Sequence, residues 1–86
     1  MQRLNQENLK NKVFRTYPTV KRDAQGKITR LIQERLNFVG FNLKIDGIFG
    51  INTEKAVKKF QNNRNLKVDG IVGKKTWSYL IKGIKV

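Results

Sequence analysis

Apolar residues fall at helical spacing in three places along the chain. Ile28, Leu31, Ile32, Leu36 and Val39 recur at i, i+3, i+4, i+8 and i+11 and predict a helix over about Lys27–Val39. Gly40 stands where a left-handed terminator belongs, with Phe41 placed to fold back on the last turn. Ala56, Val57 and Phe60 predict a second helix over about Asn52–Asn63, with Asn52 or Thr53 as its cap, Glu54 at the positive end of its dipole and Asn65 as its terminator. Trp77, Leu80 and Ile81 predict a third over about Lys74–Ile81, ended by Gly83. Leu43-Lys44-Ile45 and Leu66-Lys67-Val68 alternate, but each is too short to build a sheet. Three short apolar stripes that must face one another make an all-α, three-helix bundle.

Residues 1–16 stand apart. Leu9, Val13, Phe14 and Tyr17 have roughly helical spacing, so this segment reads as a short extra helix or as the remnant of a linker. Residues 17–86 read as the domain proper. Met1 to Leu9 lacks the apolar run of a signal peptide, and no stretch is long enough to span a bilayer.

Between the helices one pattern occurs twice. Asp46-Gly47-Ile48-Phe49-Gly50-Ile51-Asn52-Thr53 and Asp69-Gly70-Ile71-Val72-Gly73-Lys74-Lys75-Thr76 share Asp, Gly, Ile, Gly and Thr in register. An Asp accepts hydrogen bonds from the backbone just ahead of it and locks a turn. Gly47 and Gly70 can take positive φ without steric cost. Ile48 and Ile71 are then expected to anchor in the core, Gly50 and Gly73 to turn the chain into the next helix, and Thr53 and Thr76 to bond back to the loop. The Asp residues read as architecture more readily than as ligand contacts.

Composition narrows the chemistry. The 86 residues include nineteen basic and six acidic ones, a formal net charge of +13. The charge favours anionic partners: nucleic acid, acidic lipid or a polyanionic wall. It also fits a plain solvated surface. With no cysteine and no histidine, a thiolate nucleophile, a His base and a His or Cys metal site are all absent. The acids are Glu7, Asp23, Glu34, Asp46, Glu54 and Asp69. Asp46 and Asp69 are taken up by turns, and Glu34 and Glu54 sit among lysines. Ser78 has no histidine to activate it. A catalytic role is not expected, and no cofactor is implied.

The ordered combination of Val20, Gly26-Lys27-Ile28, Leu31-Ile32-Gln33, Leu36, Gly40-Phe41, both Asp-Gly loops with Thr53 and Thr76-Trp77, Ala56-Val57, Phe60-Gln61, Leu66 and Leu80 resembles the peptidoglycan-binding type 1 domain. The resemblance covers roughly residues 17–81. It departs from the family pattern at Asn65 and at Asp23-Ala24, where glycine is commoner. It implies a three-helix fold and a non-catalytic module. Such a module holds a cell-wall lytic enzyme, such as an autolysin, spore-cortex hydrolase or phage endolysin, on peptidoglycan outside the cell, while another domain cuts.

A wall binder needs aromatic faces, hydrogen-bond donors and positive charge. Arg30, Phe41, Asn42, Lys44, Phe49 and Tyr79 are the candidate ligand contacts. Phe49 and Trp77 fit the core as well, and Arg30 and Arg35 fit simple solvated charges. Tyr79 lies off the third stripe. The partner implied is peptidoglycan, with attached anionic wall polymers as a further possibility. The alternative is a basic, helical nucleic-acid-binding domain. Against it, a DNA reader concentrates Lys and Arg on one recognition helix, whereas here they are spread from Arg3 to Lys85. A third reading, an assembly module that dimerises through the N-terminal segment, leaves the oligomeric state open.

Overall fold

The computed structural model describes residues 17–82. The expectations for residues 1–16 and for Gly83 lie outside the described residues. Three helices follow one another: α1 (Lys27–Phe38), α2 (Ile51–Asn63) and α3 (Lys74–Leu80). No strand is formed among the described residues; the extended pieces meet only as isolated bridges, Val20 with Val72 and Gln25 with Ile48.

The helix stripes converge on one core of Val20, Ile32, Leu36, Phe49, Ala56, Val57, Phe60, Val72, Trp77, Leu80 and Ile81. Ile28 and Leu31 are partly buried against it. Val39 ends up 37% exposed, because it is the C-cap of α1 and the chain has already left the helical path. Trp77 is 1% exposed, stacks on Tyr17 at 4.4 Å between ring centroids, and donates its indole N–H to the Pro18 carbonyl at 2.8 Å. That bond satisfies the one polar atom of the largest core side chain and fastens the arm that precedes α1.

The arm then pairs with both Asp-Gly loops. Val20 exchanges two backbone hydrogen bonds with Val72, at 3.1 and 2.7 Å. Further on, Asp23 N–H donates to Phe49 O, Phe49 N–H to Ala24 O, and Gly26 N–H to Gly47 O, all within 2.9 Å. One segment, turning at Arg22-Asp23, thus splices the two loops together, which neither loop's sequence announces.

α1 and α2 end alike. Gly40 N–H bonds Asn37 O and Phe41 N–H bonds Leu36 O; Asn65 N–H bonds Asn62 O and Leu66 N–H bonds Gln61 O. Both are Schellman closures, in which the left-handed residue and the one after it satisfy carbonyls of the last turn. The left-handed residues are Gly40 at φ 116° and Asn65 at φ 58°. The two departures from the glycine-rich family pattern, Asp23 and Asn65, are the non-glycine residues with positive φ among the described residues, at 80° and 58°. Asp and Asn tolerate that region better than other side chains.

The helix after the first Asp-Gly loop is not capped by Asn52 or Thr53 as expected. The N-cap of α2 is Gly50 and that of α3 is Gly73, both with extended backbone, φ −101° and −100°, and no side-chain cap. Thr53, expected as a cap, is buried in the first turn, and Asn52 is exposed. The anchors of the loops are also one residue later than expected. Ile48 is 49% exposed and Ile71 is half-buried, whereas Phe49 and Val72 are fully buried. The left-handed glycine reverses the chain direction, so the second residue after it, not the first, faces inward.

Candidate functional site

Each Asp-Gly loop is held by a buried glutamine from the preceding helix. Gln33 Nε2 donates to Asp46 Oδ1 at 3.0 Å, to Ile48 O at 3.0 Å and to Thr53 Oγ1 at 3.1 Å. Gln33 Oε1 accepts from Asp46 N–H at 3.1 Å and from Gly47 N–H at 2.9 Å. Gln61 repeats the set on Asp69, Ile71, Thr76 and Gly70, at 2.9 to 3.1 Å once the Asp69 turn is included. The two backbone N–H groups leave Oε1 only an acceptor role, which orients each amide. The threonines are therefore receivers of the glutamine amide, not caps. Among the described residues no buried side-chain nitrogen or oxygen lacks a partner.

The sequence marks these glutamines only as part of the family resemblance and not as the holders of the loops. Their signal was present: each directly follows a core residue, Ile32 or Phe60, on the buried side of its helix. The chain separation to the Asp differs between the repeats, so matching the loops in register does not align them.

The aspartates complete the turns. Asp46 Oδ1 accepts from Ile48 N–H at 3.0 Å and Asp69 Oδ1 from Ile71 N–H at 2.9 Å. These backbone bonds, helped by Gln33 and Gln61, hold both carboxyls below the usual carboxylate range. A glycosidase acid needs the opposite shift. The loop acids are therefore poorly suited to proton donation.

Beside the first loop lie two adjoining open hollows. The larger, about 430 Å³, is bordered by Lys44, Asp46, Ile48, Ile51 and Asn52. The smaller, about 260 Å³, lies between residues 41–44 and α2, with Phe41, Asn42, Lys44, Asn52, Lys55 and Lys59 around it. Leu43, Lys44 and Asn52 line both. A third hollow of about 290 Å³ occupies the equivalent place in the second repeat, with Lys67, Lys74 and Lys75 on its wall.

Three of the candidate contacts, Phe41, Asn42 and Lys44, are thus brought together. Phe49 is not available: it is fully buried, so its ring meets the core and no ligand. Arg30 is exposed on α1, 4.0 Å from Glu34 one turn on, and Tyr79 is 39% exposed on α3; neither lines these hollows. Arg35 is no plain solvated charge. It donates to the carbonyls of Leu80 at 2.9 Å and Lys82 at 3.0 Å, closing the end of α3, and lies over the Phe38 ring. Asn52, Lys55 and Lys59 are the lining residues that the apolar pattern passes over, because it is blind to polar positions.

Known proteins resemble this chain in sequence and in fold. The family described as "Putative peptidoglycan binding domain" matches residues 25–80, and the chain belongs to it. A spore cortex-lytic enzyme from Bacillus cereus is 38% identical over 78 residues, covering 90% of this chain and 30% of that enzyme. The crystal structure of the SleB N-terminal domain superposes with a TM-score of 0.76 at 38% identity, covering 81% of this chain and 97% of that one. A Burkholderia AP3 phage endolysin superposes with a TM-score of 0.74 at 38% identity, covering 80% of this chain and 27% of the endolysin. The chain spans about a third of the length of the Bacillus cereus enzyme and about a quarter of that of the endolysin.

Proposed function

We propose that this chain is a non-catalytic wall-anchoring module that holds a peptidoglycan hydrolase on its substrate outside the cell. The observation that carries this is the family match over residues 25–80, in relatives that are lytic enzymes several times longer than the matched part. The geometry supports it. The loop acids are bound up in turns, while residues 41–44 and α2 present an open groove of amides, lysines and an aromatic edge. Such a groove suits a polymer of sugars and short peptides held by many weak contacts. The module is assigned to residues 17–86.

Co-sedimentation of the chain with purified, polymer-stripped cell walls tests this reading. Retention at low and moderate salt is the expected result, and absence of sedimentation there overturns it. The nucleic-acid alternative lacks its recognition helix: Trp77 and Leu80 of α3 are buried, and Lys74 and Lys75 lie in its first turn. Sequence-specific retention of duplex DNA at physiological salt would reverse that preference.

A further inference from the structure

We propose that the smaller hollow is an oxyanion subsite, with Lys44, Lys55 and Lys59 as its cationic wall; this rests on the wall-binding reading above. Asn52, Lys55 and Lys59 stand at i, i+3 and i+7, so they form one stripe along α2. Asn42 and Lys44 face that stripe from the loop across the hollow. Phe41, Leu43 and Ala56 supply its apolar lining.

No carboxylate lines the hollow. Among the described residues the ion pairs are Arg22–Glu54 at 3.2 Å and Arg30–Glu34 at 4.0 Å, and neither involves its lysines. Lys55 and Lys59 are like charges one turn apart, an arrangement that weakens a helix unless something anionic sits between them. The adjoining larger hollow carries the Asp46 carboxylate on its border, which repels an anion. The oxyanion is thus directed to the α2 side of Lys44, with the Asn42 and Asn52 amides as neutral donors beside it. An anionic group on a short aliphatic carrier fits this lining. In a cell wall, the carboxylates of the peptide stems and the phosphodiesters of attached polymers both offer that chemistry.

The test uses the whole chain, the pair Lys55→Gln/Lys59→Gln, the single Lys44→Gln, and a charge-matched control, Lys21→Gln/Lys27→Gln, away from the hollow. Binding is measured on untreated walls, on walls stripped of phosphate polymers, and on walls whose carboxylates have been amidated. The hollow pair is expected to weaken binding about tenfold at low salt and Lys44→Gln about threefold, while the control changes it less than about twofold. The salt dependence of the hollow pair should also flatten. For the unaltered chain, a matching loss on amidated walls identifies the stem carboxylate, and a matching loss on stripped walls identifies the phosphodiester. The subsite is overturned if the hollow pair behaves like the control, or if neither treatment weakens the unaltered chain. Failure of the unaltered chain to sediment with the stripped walls at low and moderate salt, as against a loss of affinity of this size, instead removes the wall-binding reading itself. Melting curves separate binding from folding: relief of the like-charge pair leaves Tm unchanged or raised.

Discussion

Gln33 and Gln61 make the same five hydrogen bonds, yet the hollows beside them are walled by different side chains. In the first repeat Ile51 and Asn52 occupy the helix start; in the second the same places hold Lys74 and Lys75. The scaffold is repeated and the surface is not. The difference teaches that a glutamine latch specifies the turn without specifying the groove next to it. The backbone is closed by inward-facing groups, which leaves the outward-facing positions free to carry recognition.

The sharpest way to break the likeness is at the latches. Gln33→Leu or Gln61→Leu strips the acceptor from two backbone N–H groups and the donor from three oxygens. Each is expected to cost about 3 kcal/mol, because two of the orphaned partners (Gly47 N–H and Thr53 Oγ1, or Gly70 N–H and Thr76 Oγ1) are in buried bonds worth roughly 1–3 kcal/mol each, while the part-buried ones can turn to water. Urea unfolding would check this; if one variant is near neutral, the two latches are not equivalent.

A smaller effect should separate the left-handed glycines. Gly47 and Gly70 have φ 76° and 73°, so alanine is strained at either. A Cβ at Gly47 meets the backbone carbonyl oxygen of Gly26 at 3.3 Å, whereas one at Gly70 meets the Glu54 and Lys58 side chains at 3.1 Å. Side chains can swing away and a paired carbonyl cannot. Gly47→Ala is expected to cost about 2 kcal/mol and Gly70→Ala about 1 kcal/mol, read from the same unfolding curves.

The helix terminators should differ less. Gly40, at φ 116°, lies beyond the range that asparagine adopts readily, while Asn65 sits within it at φ 58°. Gly40→Asn is expected to lose about 1 kcal/mol, and Asn65→Gly to stay within about 0.5 kcal/mol of the parent, since relieved strain is offset by a freer unfolded chain. Thermal melts of the pair would check the order.

Acid should act on both repeats in the same way. The Asp46 and Asp69 carboxyls are held below their ordinary range by the Ile48 and Ile71 N–H groups. Depressed values mean that their stabilisation is complete above the ordinary carboxylate range, and is lost as pH falls through the folded values. Tm should start to decline near pH 4 and below, and the decline should be shallower in Asp46→Ala/Asp69→Ala. An equal decline in the double variant would remove the aspartates as its cause.

Periodicity and turn chemistry carried much of this fold in the sequence. Ile32, Leu36, Val57, Phe60, Trp77 and Leu80 lie on the stripes that predicted the helices, and all are buried. Asp46, Asp69, Gly47, Gly70 and Asn65 do what their chemistry predicts. The differences between expectation and structure share one cause. Near neighbours in the chain point to Ile48 rather than Phe49 as the anchor, to Thr53 as a cap and to Arg35 as a solvated charge. Phe49 is instead set by its backbone bonds to the arm, Thr53 by Gln33, and Arg35 by the end of α3. The candidate site was half visible, in Phe41, Asn42 and Lys44. Its other wall, Asn52, Lys55 and Lys59, carries no mark except position on a helix whose partner loop lies elsewhere in the chain.

By itself, then, the sequence determined the three helices, the left-handed terminators of the first two, the two Asx turns and the family resemblance, because these follow from contacts a few residues apart and from residue types with restricted backbone options. Only the tertiary structure decided which polar residues are buried as latches, how the arm splices the two loops, and which lysines share a hollow. Those outcomes depend on groups distant in sequence meeting in space, where burial forces each polar atom to find a partner and leaves the unburied charges to define the surface.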